Sequence, residues 1–155
     1  MTATIRRAEP ADAPIVQEIS AAAYVPAYQA VIGAVPKPAC EDYRPRIARG
    51  EVWLIERDGA ASGVLVLEPK ADHLLVYSVA VRPSAQRRGF ARLLLDFAGT
   101  RATELGLREV RLYTNVRMEA NVRLYRSCGF HDVATRPHPS RAGEFLLDMA
   151  KVVRA

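Results

Sequence analysis

The residues best suited to chemistry form a basic turn between an apolar segment and a helical pattern. Residues 79–81 are apolar, and the sequence Arg-Pro-Ser-Ala-Gln-Arg-Arg-Gly leads from them into leucines spaced as on a helix. A strand joined to a helix by such a turn directs backbone N–H groups outward, where they bind phosphate. Arg87, Arg88 and Arg92 supply positive charge at the same place. The pattern predicts a pyrophosphate site for a nucleotide-like cofactor.

The positive charge of the chain is concentrated around this turn. The net charge is +5, but residues 82–126 hold ten arginines and four acidic residues, whereas the rest of the chain holds twelve basic and thirteen acidic residues. Such a patch is typical of nucleic-acid-binding surfaces. However, no aromatic residues alternate with these arginines, as single-strand binding requires. A compact polyphosphate ligand explains the cluster better, and a solvated surface remains the alternative for Arg101, Arg108 and Arg111.

Length and composition limit the class of protein. With 155 residues, half of them apolar and a quarter charged, we expect residues 1–155 to form a single globular domain. No apolar run reaches the roughly 18 residues of a membrane span, and no signal core follows Met1. We therefore expect a cytoplasmic protein without a membrane partner, in which Cys40 and Cys128 are reduced. The histidines and cysteines lack zinc spacing, so no metal site is predicted.

The elements that must position the turn alternate along the chain. Strands are predicted at residues 3–7, 51–57, 62–67, 74–81, 109–114, 130–134 and 144–152. Helices are predicted at residues 11–23 and 40–48, from the turn to residue 105, and at residues 119–128. The three prolines within residues 24–38 indicate a loop or a broken helix, and Asp58-Gly59 indicates a hairpin.

This order predicts a mixed α/β (α+β) fold with about seven strands and four helices. A strand–helix–strand crossover places residues 74–81 and 109–114 parallel in one sheet. Ligands of open sheets bind beyond the carboxyl ends of such strands. The basic turn lies at one of these ends, which agrees with its assignment as a ligand site.

Two motifs carry a resemblance to a known family. Gln86-Arg-Arg-Gly-Phe-Ala91 resembles the Q/R-x-x-G-x-G/A signature of the GNAT superfamily of N-acetyltransferases, and residues 79–83 resemble its cofactor strand. Residues 112–115, with Leu-Tyr at 124–125 and Gly-Phe at 129–130, resemble its LY…GF block. The element order over residues 5–153 also follows that family. The resemblance implies a GNAT fold whose parallel strands splay at the cofactor site.

The resemblance also implies a cofactor and roles for matched residues. The cofactor is acetyl-CoA, and the acceptor is a primary amine of a small molecule or a peptide. The strand backbone holds the pantetheine arm and the turn binds the pyrophosphate, which gives as cofactor-binding residues Val79, Ala80, Val81, Gln86, Arg87, Arg88, Gly89, Phe90, Ala91 and Arg92. Asn121 and Tyr125, one helical turn apart, match the face that touches the CoA arm.

Chemistry gives a separate reason for two of these residues. Acetyl transfer by direct attack in a ternary complex needs a polarised carbonyl, and the backbone N–H of Val79 is the predicted donor. It also needs an acid for the leaving sulfur. Tyr125, protonated at neutral pH, is the predicted catalytic acid, and a core tyrosine is the alternative.

The general base is left open. Many relatives have a glutamate two residues before the position of Val79, and this chain has Tyr77 there. Solvent is one alternative. A side chain elsewhere in the chain is the other alternative. The candidates for the general base, which the sequence does not rank, are Asp42, Glu51, His73, Asp72, Glu119 and His138.

The acceptor is expected to bind at the front of the fold, in the segments before residue 44 and around residues 138–143. Tyr24, Tyr28, Tyr43 and Tyr77 are the predicted substrate-binding residues, and packing under a loop is the alternative for them. We therefore expect an N-acetyltransferase that is a monomer or a homodimer. The second hypothesis is a CoA-binding sensor or regulatory module that has lost acetyl transfer. A basic nucleic-acid-associated domain is a third, weaker hypothesis.

Overall fold

The computed structural model describes residues 2–153 of the chain. Within this range the strands are β1 (Thr4–Arg7), β2 (Val52–Arg57), β3 (Ala60–Pro69), β4 (Leu74–Val81), β5 (Glu109–Asn115), β6 (His131–Pro137) and β7 (Phe145–Val152). The α-helices are α1 (Ala13–Ile32), α2 (Arg44–Ala48), α3 (Phe90–Glu104) and α4 (Glu119–Ser127). The mixed α/β class and the order of elements predicted from the sequence are confirmed.

The seven strands form one mixed sheet in the order β1-β2-β3-β4-β5-β7-β6. β4 and β5 are parallel, in the register Leu74 to Val110 and Leu75 to Arg111. β5 and β7 pair antiparallel over the whole length of β5, as do β1 with β2 and β6 with β7. The parallel pair expected from the crossover rule is therefore present, and its register covers only two residue pairs.

The first helix differs most from the predicted elements. α1 continues to Ile32 with Pro26 inside it, although the prolines predicted a loop or broken helix over residues 24–38. An internal proline costs a helix about 3 kcal/mol, and α1 is nevertheless helical on both sides of Pro26. The helix ends at Gly33, whose left-handed φ of 66° makes it a C-cap. Tyr24 and Tyr28 consequently lie one turn apart on a helix rather than in a loop.

The second helix is shorter than predicted. A single 3₁₀ turn at Lys37–Ala39 precedes α2, which begins at Arg44 rather than at residue 40. Pro45 explains the late start, because proline is tolerated in the first turn of a helix but not inside it. The hairpin at Asp58-Gly59 is confirmed, with φ of 55° and 76° at the two residues.

One compact unit comprises the chain up to Leu67 together with Ser78–Leu95. Its fully buried side chains include those of Val16, Ile19, Leu54, Val64, Leu65 and Leu94. Gly63 is required by close packing inside this unit. A Cβ at this position would lie 3.0 Å from the carbonyl oxygen of Ala80 and 3.2 Å from a methyl carbon of Leu94. The absence of a side chain thus lets β3 approach both elements.

A second compact unit comprises Glu68–Tyr77 and the chain from Asp96 onward. In β5, Val110 and Leu112 are buried, whereas Arg111 and Tyr113 between and after them are exposed. This alternation shows that one face of the sheet is covered here and the other is open. The single domain predicted for residues 1–155 stays a prediction, and residues 1, 154 and 155 lie outside the described part. No helix within residues 2–153 is long and apolar enough to cross a membrane.

Candidate functional site

The predicted phosphate site is a well-defined turn between β4 and α3. A single 3₁₀ turn at Pro83–Ala85 follows the strand, and α3 begins at Phe90. Arg87 and Gly89 adopt left-handed φ values of 66° and 82°. Glycine takes this conformation freely, whereas it is uncommon for arginine. Left-handed residues in a turn let successive N–H groups converge on one point, which is how backbone binds anions.

The surface of this turn is open. Gln86, Arg87, Arg88 and Gly89 are all exposed, and a Cβ at Gly89 would meet no atom within 4 Å. The N–H of Leu93 donates to the carbonyl of Gly89 over 3.0 Å. The N–H groups of the preceding turn of α3 have no acceptor within the helix. The predicted residues thus form a polar backbone surface at the positive end of a helix dipole, which fits a pyrophosphate.

The predicted cofactor strand has two of its carbonyls already hydrogen-bonded to side chains. The Tyr24 hydroxyl donates to the carbonyl of Val79 over 3.1 Å, and the Gln86 amide donates to the carbonyl of Val81 over 3.1 Å. Residues two apart on a strand direct their N–H and C=O groups to the same side. The N–H groups of Val79 and Val81 therefore point to the side on which both carbonyls are held. Neither of these two hydrogen bonds was predicted.

The tyrosines predicted to bind the acceptor lie in different environments. The Tyr24 hydroxyl also lies 2.9 Å from the buried Ser78 Oγ, and its ring meets that of Tyr28 edge-on at 5.7 Å. Tyr43 is 1% exposed, and its hydroxyl donates to the carbonyl of Pro38. Burial raises the pKa of Tyr43 to about 12. Tyr43 therefore packs in the interior, which is the alternative given for these tyrosines. Tyr77 is half-buried on β4.

Tyr125, the predicted acid, lies on α4 in the second unit. Its ring packs edge-on against Phe130, with centroids 6.2 Å apart. Gly129, at φ 96°, ends the helix region, and the N–H of Phe130 returns to the carbonyl of Tyr125 over 3.0 Å. Asn121 lies one turn earlier and is half-buried. The LY…GF block is thus one local structure that fixes the tyrosine ring.

The side chains considered as general base are mostly held by neighbours. Glu51 pairs with Arg46 at 3.1 Å and with Arg49 at 2.9 Å. Hydrogen bonds from Arg44 lower the pKa of Asp42, and a hydrogen bond with His73 lowers that of Asp72. Lower pKa values make both carboxylates weaker bases.

His138 is held by its own loop. Its Nδ1 accepts hydrogen bonds from the N–H groups of Ser140 and Arg141, at 3.0 and 3.1 Å. These hydrogen bonds stabilise the segment between β6 and β7. Among the residues that the structure describes, no cluster of three or more His, Cys, Asp or Glu side chains could hold a metal ion.

One polar cluster near the end of β5 was not predicted. Glu144 Oε1 accepts from Asn115 Nδ2 at 3.4 Å and pairs with Arg117 at 3.5 Å. The Asn115 side chain accepts from the N–H of Arg117 over 2.9 Å, so it caps the turn before α4, whose N-cap is Met118. Glu144 has no sequence signal, because the cluster depends on the pairing of β5 with β7.

A family comparison identifies the sequence pattern. The model of the acetyltransferase (GNAT) family matches residues 18–130. This range includes the predicted cofactor strand, the basic turn and the LY…GF block. No curated protein matches the chain.

Solved structures with the same fold cover nearly the whole chain. The ribosomal-protein-S18-alanine N-acetyltransferase from Escherichia coli is 21% identical, with a TM-score of 0.78, over 99% of this chain and 96% of that one. The PaiA N-acetyltransferase from Thermoplasma acidophilum, in complex with coenzyme A, is 18% identical with a TM-score of 0.78, over 98% and 99% of the two chains. The YncA putative acetyltransferase from Salmonella typhimurium, with acetyl-CoA, is 22% identical with a TM-score of 0.75, over 100% and 96%. At these identities the likeness shows the fold alone.

Proposed function

We propose that this chain, which belongs to the acetyltransferase (GNAT) family, transfers an acetyl group from acetyl-CoA to a primary amine. The observation that carries the proposal is the turn after β4. There an open glycine, the first N–H groups of α3 and exposed arginines lie on one surface that suits an anion. The complexes of two similar structures with coenzyme A and acetyl-CoA support the same cofactor.

This geometry supports the following cofactor-binding roles. The N–H groups of residues 87–92 are assigned to the pyrophosphate, and Arg87, Arg88 and Arg92 to its charge. The N–H of Val81 is assigned to a carbonyl of the pantetheine arm, and the N–H of Val79 is kept for the acyl group. Tyr24 and Gln86 keep the two strand carbonyls occupied. When bound, acetyl-CoA supplies an activated thioester.

The chemical roles are assigned to two groups. The N–H of Val79 is the proposed donor to the acyl oxygen, where negative charge develops. The Tyr125 hydroxyl is the proposed acid. In the reaction the amine nitrogen forms a bond to the acyl carbon and the carbon–sulfur bond breaks. The amine proton leaves to solvent, and Tyr125 supplies the proton that the sulfur gains and is then reprotonated from solvent.

The acceptor must reach the site as a neutral amine. Tyr77 stands where many relatives have a glutamate, and phenol is a poor base near neutral pH. We therefore propose that deprotonation occurs through solvent, so that amines of low pKa are favoured. The same substitution favours a second candidate function, in which the chain binds CoA as a sensor without transfer.

One experiment separates these functions. Acetyl-CoA binding is measured by calorimetry, and CoA release is followed with a thiol reagent over a panel of alkyl, aryl and peptide amines. Binding with turnover supports the transferase, and binding without turnover on any amine supports the sensor. Failure of acetyl-CoA to bind, together with binding of an oligonucleotide, would contradict both.

A further inference from the structure

The second unit contains a hollow on the open face of its sheet. Its volume is about 300 Å³, and it is lined on four strands and the residue before β4. Arg111 and Tyr113, two residues apart on β5, share this face. The register of β5 with β7 sets Tyr113 opposite Asp148. Arg136 of β6 lines the same hollow. The apolar lining residues are Leu75, Leu112, Val133 and Met149.

Arg136 is held in a fixed orientation. Its Nε donates to Asp148 Oδ2 over 2.8 Å, and its guanidinium carbon lies 5.1 Å from the centroid of the Tyr113 ring. Among the described residues, Asp148 is the one hydrogen-bond partner of this guanidinium, and the contact uses Nε. The two terminal nitrogens of the fork remain as donors. Two such parallel donors match the two oxygens of a carboxylate.

Each arginine of the hollow is already paired with a carboxylate, Arg111 with Glu109 and Arg136 with Asp148. An anion would therefore bind through the terminal nitrogens of Arg136 and not through a net positive charge. Hydrogen bonds to Glu109 and Asp148 raise the pKa values of the two arginines, so both stay charged at any working pH. The volume lies at the lower end of the range for small-molecule sites. A ligand with one carboxylate and a small apolar body matches this size and the two terminal donors of Arg136.

We propose that this hollow binds a small carboxylate, with the carboxylate on the free side of the Arg136 fork and the apolar body against Leu75. The proposal does not depend on acetyl transfer, because it concerns binding alone. Two sources share this chemistry: an acceptor amine that carries a carboxylate, and a carboxylate that is not acetylated. Cross-strand stabilisation of an exposed sheet by Arg136, Tyr113 and Asp148 is the competing explanation.

Benzoate is the probe, with benzamide as its neutral counterpart. Binding to the whole protein without cofactor is measured by calorimetry and by NMR titration. We expect saturable binding of benzoate and not of benzamide. In Arg136→Gln the affinity falls by about tenfold or more, as expected for a lost charge-assisted pair. Arg126→Gln is the matched control, since Arg126 is also paired with an aspartate, Asp132 at 2.6 Å, but lies outside the hollow.

Benzoate binding that is absent, or equal in the wild type and Arg136→Gln, would overturn the proposal and leave cross-strand stabilisation. Should Arg136→Gln fail to fold by thermal melting, Arg136→Lys replaces it. This variant keeps the charge but not the two parallel donors, so the benzoate affinity should again fall. The source is distinguished by acetylation. 4-(Aminomethyl)benzoate preferred over benzylamine in the wild type but not in Arg136→Gln identifies an acceptor. Equal acetylation rates for the two amines, with benzoate binding unchanged, identify the ligand of the hollow as a carboxylate that is not acetylated.

Discussion

The two compact units offer different kinds of functional group. In the first unit the proposed site consists of backbone N–H groups and exposed arginines. Within residues 2–153, neither Arg87 nor Arg88 has a carboxylate partner. In the second unit the side chains of interest are fixed by neighbours: Tyr125 by Phe130, and Arg136 by Asp148 and Tyr113. Arginines without a carboxylate partner suit a polyphosphate, which carries several negative charges. A side chain held in one orientation suits a single proton transfer or a single carboxylate.

This contrast teaches how the two units should respond to mutation. Changes at the turn of the first unit should alter cofactor affinity with little effect on the chemical step. Changes at the fixed side chains of the second unit should alter the rate or a single ligand contact.

Tyr125→Phe should give the largest change. Removal of a general acid typically lowers the rate by about 10²–10⁴-fold, while the ring contact with Phe130 is kept. We expect the single-turnover rate of acetyl transfer to fall within this range and the Kd for acetyl-CoA to change little. Phe130→Leu, which alters the packing but keeps the hydroxyl, is the control. Full single-turnover activity in Tyr125→Phe would make this tyrosine structural.

The double substitution Arg87→Gln and Arg88→Gln should act on affinity instead. We expect acetyl-CoA to bind about tenfold more weakly, because two charge-assisted contacts are lost in a screened, exposed setting. The salt dependence of the Kd should also decrease. Arg108→Gln with Arg123→Gln removes the same charge from the second unit and serves as control. Equal effects of the two double variants would show that net charge alone acts.

The pH dependence should reveal whether a base exists. With Tyr77 in place of a glutamate, kcat/KM should rise with pH toward the pKa of the acceptor, near 10 for an alkyl amine and near 8 for an α-amino group. Tyr77→Glu should lower the pH at which the rate reaches its plateau. A wild-type profile with an alkyl amine that is already flat at about pH 7 would show that a working base lies elsewhere.

Tyr24→Phe should have the smallest effect. It removes the hydrogen bond to the Val79 carbonyl and leaves Ser78 Oγ without this partner. A net loss of about 0.5–1.5 kcal/mol predicts roughly two- to tenfold weaker acetyl-CoA binding. The kcat at saturation should be unchanged, which a direct role in chemistry would not allow. Tyr28→Phe, one turn later on α1, is the control, and an equal loss there would assign the effect to helix packing.

The first unit shows how far local signals reach. The basic turn, the hairpin at Asp58-Gly59 and the end of α3 could be predicted because a glycine and its neighbours determine a turn within a few residues. Pro26 was misleading. Its local penalty predicted a loop, but α1 is helical through it, and Tyr24 on the same helix is hydrogen-bonded to Ser78 and Val79, 54 and 55 residues away.

The second unit shows where local signals end. The contacts of Arg136 with Tyr113 and Asp148, and those of Glu144 with Asn115, depend on the pairing of β5, β6 and β7. A shift of one residue in this register would move every side chain to the other face. Neither cluster leaves a pattern within a single strand. The burial of Tyr43, whose hydroxyl donates to the carbonyl of Pro38, was one of the two alternatives that the sequence left open for this residue.

Calorimetric titration of acetyl-CoA into two glycine variants tests the central claim most directly. Gly89 and Gly106 both have positive φ, 82° and 73°, with no atom within 4 Å of an added Cβ. Valine at either position should therefore destabilise the fold by a similar amount, roughly 1–3 kcal/mol of backbone strain. Thermal melting measures this loss of stability. We predict that Gly106→Val binds acetyl-CoA like the wild type, whereas Gly89→Val binds at least about 100-fold more weakly, a loss of about 2.8 kcal/mol. Equal affinities of Gly89→Val and Gly106→Val would contradict the assignment of the cofactor to this turn.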